Sequence, residues 1–191
     1  MSYRQENIQL LDLAEIQGGM TVRSRLSEDS AGGLEAVQLG DLLRSDAFLL
    51  SSASKFHLEG KVERYRVRDG DLLFRSRGDR NTAAVVVGSA DETAVAVSPL
   101  IIIRPRAEVV LPEYLAWFIN QTPSQLYFDS CARGTSLRMI SRKDLDQLQV
   151  SVPDFEKQKL IVNISKLATQ EQFLLQQLAE KKKEYLDFVL L

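Results

Sequence analysis

Two arginine-rich stretches hold the residues best suited to chemistry with an anionic polymer. In the first, Arg75, Ser76, Arg77, Arg80 and Asn81 surround a Gly78-Asp79 turn; in the second, Arg133, Thr135, Ser136, Arg138, Ser141 and Arg142 surround Gly134. Arg, Asn, Ser and Thr can donate hydrogen bonds to phosphate oxygens or read base edges. The same residue types also make an ordinary solvated face or cap a turn, so composition alone leaves both readings open. The charge is unevenly spread: residues 61–80 carry seven Lys/Arg and four Asp/Glu, whereas residues 1–60 carry five and nine. A local basic surface is therefore compatible with an acidic total.

Catalytic chemistry finds less support. His57 has no neighbouring pattern that marks a nucleophile or a carboxylate partner, and an isolated histidine is more often structural or exposed than catalytic. Cys131 lies two residues from Arg133, a cation that could favour a thiolate, but a small packing residue explains it as well. Asp69 and Asp71 flank Gly70 in a turn between strands. The two acids of Pro153-Asp154-Phe155-Glu156-Lys157 fall in one helix-opening turn, with no intervening strand to arrange a metal-binding pair, so capping is the simpler role. The reading is no catalytic residues, no metal and no cofactor bound by this chain.

A chain of 191 residues with 45% apolar content suffices for one substantial core, which argues against a mainly disordered chain. A formal charge of -2 argues against a broadly basic, sequence-indifferent nucleic-acid binder. One cysteine cannot form an intrachain disulfide, and with one histidine it leaves no ordinary zinc set. The N-terminal MSYRQENIQL lacks a signal-peptide pattern, and no run approaches about 18 apolar residues, so the expectation is a cytoplasmic protein without a membrane partner.

The strand signals are clearest between Val62 and Arg104, where VERYRV, DLLFRS, TAAVVVG and ETAVAVSPLIIIRP are separated by Asp-Gly, Gly-Asp and Gly-Ser turns. Before them, IQLLDLAEIQG reads as a short element stopped by Gly18-Gly19. MTVRSRL reads as a strand, EAVQLGDLL as a strand followed by a turn at Gly40-Asp41, and the Ser-rich piece through Lys55 as loop. After Pro105, LPEYLAWFINQTP predicts a helix that Pro123 ends, with Leu115, Phe118 and Ile119 on its apolar face. A second helical piece runs from about Pro123 to Cys131. Ser141 is a predicted N-cap with Asp144 at N3, and LQVSVP returns to strand.

Pro153 marks the boundary. From Asp154 onward the chain has no Gly or Pro, which predicts a helix roughly 55 Å long at about 1.5 Å per residue. Leu160, Ile164, Leu167, Leu174, Leu178, Tyr185 and Phe188 follow alternating four- and three-residue spacing, interrupted at Glu171 and Lys181. Ile161, Ala168, Leu175, Leu186 and Val189 broaden this seam. A helix of that length outruns a body of about 150 residues, so self-association or a partner helix is expected to cover it. The fold class is α+β: a mixed, strand-rich body over residues 1–152 and a coiled-coil-like helix over 153–191.

Read in order, VRDGDLLFRSRG, NTAAVVVG, VAVSPLIIIRP and then PEYLAWFINQTPSQLYFDSCARGTSLRMISRKDLDQLQVSVPDFEKQKLIVNISKL resemble a target-recognition domain and its spacer helix from the specificity subunit of type I restriction-modification enzymes. The resemblance runs from about Val62 to Leu178 and is weaker over the first sixty residues. It implies half of such a subunit, with residues 1–152 as one recognition domain and 153–191 as one spacer and dimerisation helix. The full family subunit usually carries two of each.

The resemblance also implies partners: double-stranded DNA, a second copy or another half subunit, an adenine-specific DNA methyltransferase and, in a complete system, a restriction translocase. S-adenosylmethionine and ATP would serve those partners rather than this chain. The candidate DNA contacts are Arg75, Arg77, Arg80, Asn81, Arg133, Thr135, Ser136 and Arg138, and the seam from Leu160 to Phe188 is the candidate interface. The competing expectation is a protein-interaction adaptor that uses the same helix and reads no DNA.

Overall fold

The computed structural model of the chain describes residues 6–22, 26–29, 31–42, 47–132 and 139–190. The first element predicted as one unit is a strand, a single helical turn and a second strand: β1 (Glu6–Gln9), α1 (Leu10–Leu13) and β2 (Ala14–Gly18). Next come β3 (Leu34–Val37), β4 (Ala47–Leu49), β5 (Ser54–Phe56) and β6 (Arg66–Val67). The strongest strand signals become β7 (Leu72–Arg75), β8 (Ala83–Val87), β9 (Ala94–Ala96) and β10 (Leu100–Pro105). They are followed by α2 (Pro112–Asn120), α3 (Thr122–Cys131), α4 (Arg142–Asp146), β11 (Gln149–Val152) and α5 (Phe155–Leu190). This is a mixed α+β, strand-rich region followed by a long C-terminal helix, as the sequence predicts.

A five-stranded sheet in the order β2-β10-β7-β8-β4 forms the centre, antiparallel except for the β4–β8 pair. Its residues alternate between two buried faces. Leu72, Phe74, Ala83, Val85, Ile101 and Ile103 face the core shared with the helices. Leu73, Ala84, Val86, Leu100 and Ile102 point the other way, into a second core with residues of β3, β6 and β9. Burial on both faces explains why these strands read as near-continuous apolar runs rather than as alternation with polar residues. A four-stranded sheet, β5-β3-β9-β6, lies on that second side, and β1 pairs with β11 in a separate ribbon.

Several boundaries differ from expectation. The Ser-rich piece read as loop contains β4 and β5, because Phe48 and Phe56 each bury a ring and pull three-residue strands onto the sheets. Within MTVRSRL only Met20 makes a β-bridge, to Val97, and Arg23 to Arg25 lie outside the described residues. α2 ends at Asn120, where Gln121 is extended, and Pro123 lies in the first turn of α3 instead of closing α2. Around Ser141 the expected capping box is complete: its hydroxyl accepts from the Asp144 N–H at 3.2 Å, and the Asp144 carboxylate accepts from the Ser141 N–H at 3.2 Å.

Candidate nucleic-acid interface

The first arginine stretch is the connection between β7 and β8, and it is braced from within and without. The Arg75 N–H donates to Thr82 O at 2.8 Å, and the Asn81 amide donates to Arg75 O at 2.9 Å. Gln125 of α3 donates to Asn81 O at 3.0 Å, and the buried Ser76 hydroxyl donates to Pro99 O. Asn120, at the end of α2, closes the base of the loop: its Oδ1 accepts from Ala83 N at 2.8 Å and its Nδ2 donates to Ala83 O at 2.9 Å. A side-chain amide thus continues the ladder at Ala83, beyond the end of β4.

This bracing divides the predicted contacts. Asn81 is buried with its amide engaged inside the loop, so it shapes the connection, whereas Arg77 and Arg80 are exposed. Arg133, Thr135, Ser136 and Arg138 lie outside the described residues. The residues that follow them do not: Met139 forms an antiparallel bridge with Arg77, and Ile140 N–H donates to Ser76 O at 2.8 Å. Arg77 also donates to Met139 Sδ at 3.7 Å. Two segments more than sixty residues apart in sequence are therefore joined at the β7–β8 connection.

Beside the loop runs a groove of about 750 Å³ between β8, α2 and the first turns of α5. Arg75, Arg80 and Lys166 line it, against one carboxylate, Glu113. Trp117 and Val87 contribute apolar wall. The Nε of Arg75 is enclosed and has no hydrogen-bond partner among the described residues.

Gln158 fixes the α5 wall. It is fully buried at the foot of the helix, accepting from Leu111 N–H at 2.8 Å and donating to Val109 O at 3.2 Å and Pro153 O at 2.9 Å. Val162, one turn further, is the last buried residue; from Lys166 to Val189 every residue is exposed. The predicted seam stands open, with Leu160, Ile164, Leu167, Leu174, Leu178, Tyr185 and Phe188 all exposed, Phe188 by 85%.

The catalytic candidates stay dispersed. His57 Nε2 sits 3.4 Å from the exposed Glu59 carboxylate, and Cys131 packs at the margin of the core shared with the helices. Tyr127, hydrogen-bonded to Asp144 O at 2.8 Å, has its phenol pushed up to about 12, first by burial and then by Cys131. Among the described residues no group of three His, Cys, Asp or Glu is placed to hold a metal ion, and no helix is long and apolar enough to cross a membrane.

This arrangement has counterparts among known proteins. Over 163 residues, 80% of the chain, it is 24% identical to the type I restriction enzyme HindI specificity subunit of Haemophilus influenzae. The HsdS subunit from Thermoanaerobacter tengcongensis superposes with a TM-score of 0.63 over 87% of the chain at 18% identity. A chain from a structure of type I R-M complex assembly gives 0.64 over 89% at 18% identity, and the type I S subunit of M. genitalium gives 0.58 over 88% at 12%. The chain resembles a type I restriction specificity subunit.

It spans 35% of the length of the Haemophilus specificity subunit, and 37%, 39% and 40% of the three structural counterparts. No protein-family model matches it. Against this background the residues that sequence reasoning missed are Asn120, Gln158 and Lys166. Asn120 and Gln158 are buried or half-buried amides on helices otherwise read for their apolar stripes. Lys166 carried no signal beyond being a polar residue between seam positions.

Proposed function

We propose that this chain is a non-catalytic DNA-specificity subunit of a type I restriction-modification system. Its body, residues 1–152, reads one half of a double-stranded target. The helix over 153–191 pairs with a second copy or another half subunit and recruits an adenine-specific DNA methyltransferase, with a restriction translocase joining in a complete cytoplasmic system. Methyl transfer and cleavage belong to those partners.

The observation that carries this reading is the Arg77–Met139 bridge, which joins the Arg75–Thr82 loop to Met139 and Ile140, the residues that follow Arg133, Thr135, Ser136 and Arg138 in the sequence. Arg77 and Arg80 stand exposed on that loop, where guanidinium groups suit base edges and phosphates. Arg77 and Arg80 are the outward contacts, Arg75 faces the adjoining groove, and Asn81 holds the loop in shape. The exposed seam of α5 supplies the second half of the role, a surface for helix partners.

The test is a randomised-duplex selection on the chain assembled with its methyltransferase. The expected result is enrichment of a short defined half-site, duplicated with symmetry if two copies assemble. Strictly non-specific binding, together with a tight helix-dependent protein complex, would instead favour an adaptor. Methyl incorporation by the chain alone would overturn the non-catalytic assignment.

A further inference from the structure

α5 has two working faces. Val162, Ser165, Lys166, Thr169 and Gln170 line the groove, at the i, i+3, i+4, i+7 and i+8 positions of one helical stripe. At about 100° per residue this stripe centres roughly half a turn around the helix from the seam of Leu160, Ile164, Leu167, Leu174 and Leu178. A partner helix seated on the seam therefore leaves the groove face uncovered. The polar stripe has a role separate from association.

The groove is built for negative charge. Three cations, Arg75, Arg80 and Lys166, meet one carboxylate, Glu113, and none of the three cations forms an ion pair among the described residues. Among the described residues the enclosed Arg75 Nε has no acceptor, and Arg75 is not held in an ion pair. Of the remaining polar lining, the hydroxyls of Thr82, Ser165 and Thr169 and the amides of Gln121 and Gln170 are groups that can donate. Arg75 and Arg80 belong to the same loop as Arg77, so the groove continues the DNA edge of the body onto the helix.

We propose that this groove holds the phosphodiester backbone of the duplex read by the loop, making Lys166 a DNA-backbone contact on α5. The proposal rests on the DNA-reading role argued above. Lys and Arg contacts to phosphate fix register without reading sequence. The helix would then grip the same DNA whose half-sites it holds apart, and Gln158 positions Lys166 by fixing the helix to the body two turns earlier.

The experiment measures binding of the full chain, assembled with its methyltransferase, to a selected duplex and to a mismatched one across a salt series. Lys166→Gln should weaken both duplexes by the same factor and reduce the slope of log K against log salt by about 1. Lys166→Arg should restore the slope, and Lys183→Gln, on the exposed distal part of the helix, should leave it unchanged. Lys166 is solvent-exposed, so matched unfolding curves confirm an intact fold for each variant.

An unchanged slope in Lys166→Gln, while Arg77→Ala still alters sequence ranking, rejects the groove and leaves the specificity role standing. A reduced slope in a protein that binds without sequence preference keeps the groove and rejects that role. Loss of methyltransferase assembly with an unchanged slope shows that the groove takes an acidic protein segment, which overturns the proposal. Absence of any DNA binding by the wild type rejects both.

Discussion

Gln158 presents its side-chain oxygen to the backbone N–H of Leu111 at 2.8 Å, fastening the first turns of α5 to the segment that leads into α2. Its amide nitrogen binds two carbonyls on either side of that contact, Val109 O and Pro153 O. One fully buried amide thus satisfies three backbone groups that no helix or strand serves. Gln158→Ala strips all three of their partner and should destabilise the fold by about 1–3 kcal/mol for each group left unsatisfied by water. Urea unfolding followed through Trp117, the one tryptophan of the chain, reports this directly. An unchanged midpoint would show that the helix is held by Val162 and its neighbours alone.

The seam makes a prediction about assembly. Replacing Ile164 or Leu174 with a polar residue should weaken association more than substitutions at Gln170 or Gln176, because only the first two lie on the apolar stripe. Both are more than half exposed in the single chain, so folding should be nearly unaffected. Sedimentation of wild type and variants, alone and with the methyltransferase, tests this. A monomer throughout, with no partner-dependent complex, rejects the interface.

Arg77→Ala and Arg138→Ala probe the recognition edge. Removing a base-reading guanidinium should reduce discrimination between cognate and mismatched duplexes by about 1–3 kcal/mol, whereas removing a phosphate contact should weaken both more evenly. Asn81→Ala should act differently, lowering stability by about 1–3 kcal/mol through the orphaned Arg75 carbonyl. Retention of wild-type affinity and ranking by both arginine variants would move the search for the DNA surface to the residues before Val62.

Asp71 gives a pH dependence with a defined sign. Burial raises its carboxyl above the ordinary value of 3.8, against the opposing pull of the Arg68 N–H and the Arg104 guanidinium at 3.5 Å. The folded chain therefore holds this proton more tightly than the unfolded chain. Its contribution to stability is complete below the unfolded value and is lost as pH rises through the raised folded value. Asp71→Asn removes that titration, so wild-type stability minus variant stability should decline with rising pH across this acidic window. Urea unfolding at a series of pH values checks it, and a constant difference would contradict the assignment.

The strongest features were readable because one physical signal dominated each. Continuous apolar runs gave β7, β8 and β10, a Ser/Asp pair three apart gave the α4 cap, and the absence of Gly and Pro gave α5. β4 and β5 were not readable, since three residues are too few to show a period. β4 gains its place by parallel pairing with β8, nearly forty residues away. The same limit hides the candidate site. Arg77 is visible as a residue type, but its pairing with Met139 and the place of Lys166 in one groove with Arg75 and Arg80 are products of tertiary structure. Asn81, whose amide suits a base edge, donates within its own loop instead.

The β1–β11 ribbon pairs Glu6 with Val152, the last strand residue before the long helix. The chain thus leaves the strand-rich region beside the place where it came in. A unit closed at its own neck in this way has two places to match if residues 6–152 are exchanged for another body: the β1–β11 neck and the Val109–Leu111 segment that Gln158 holds.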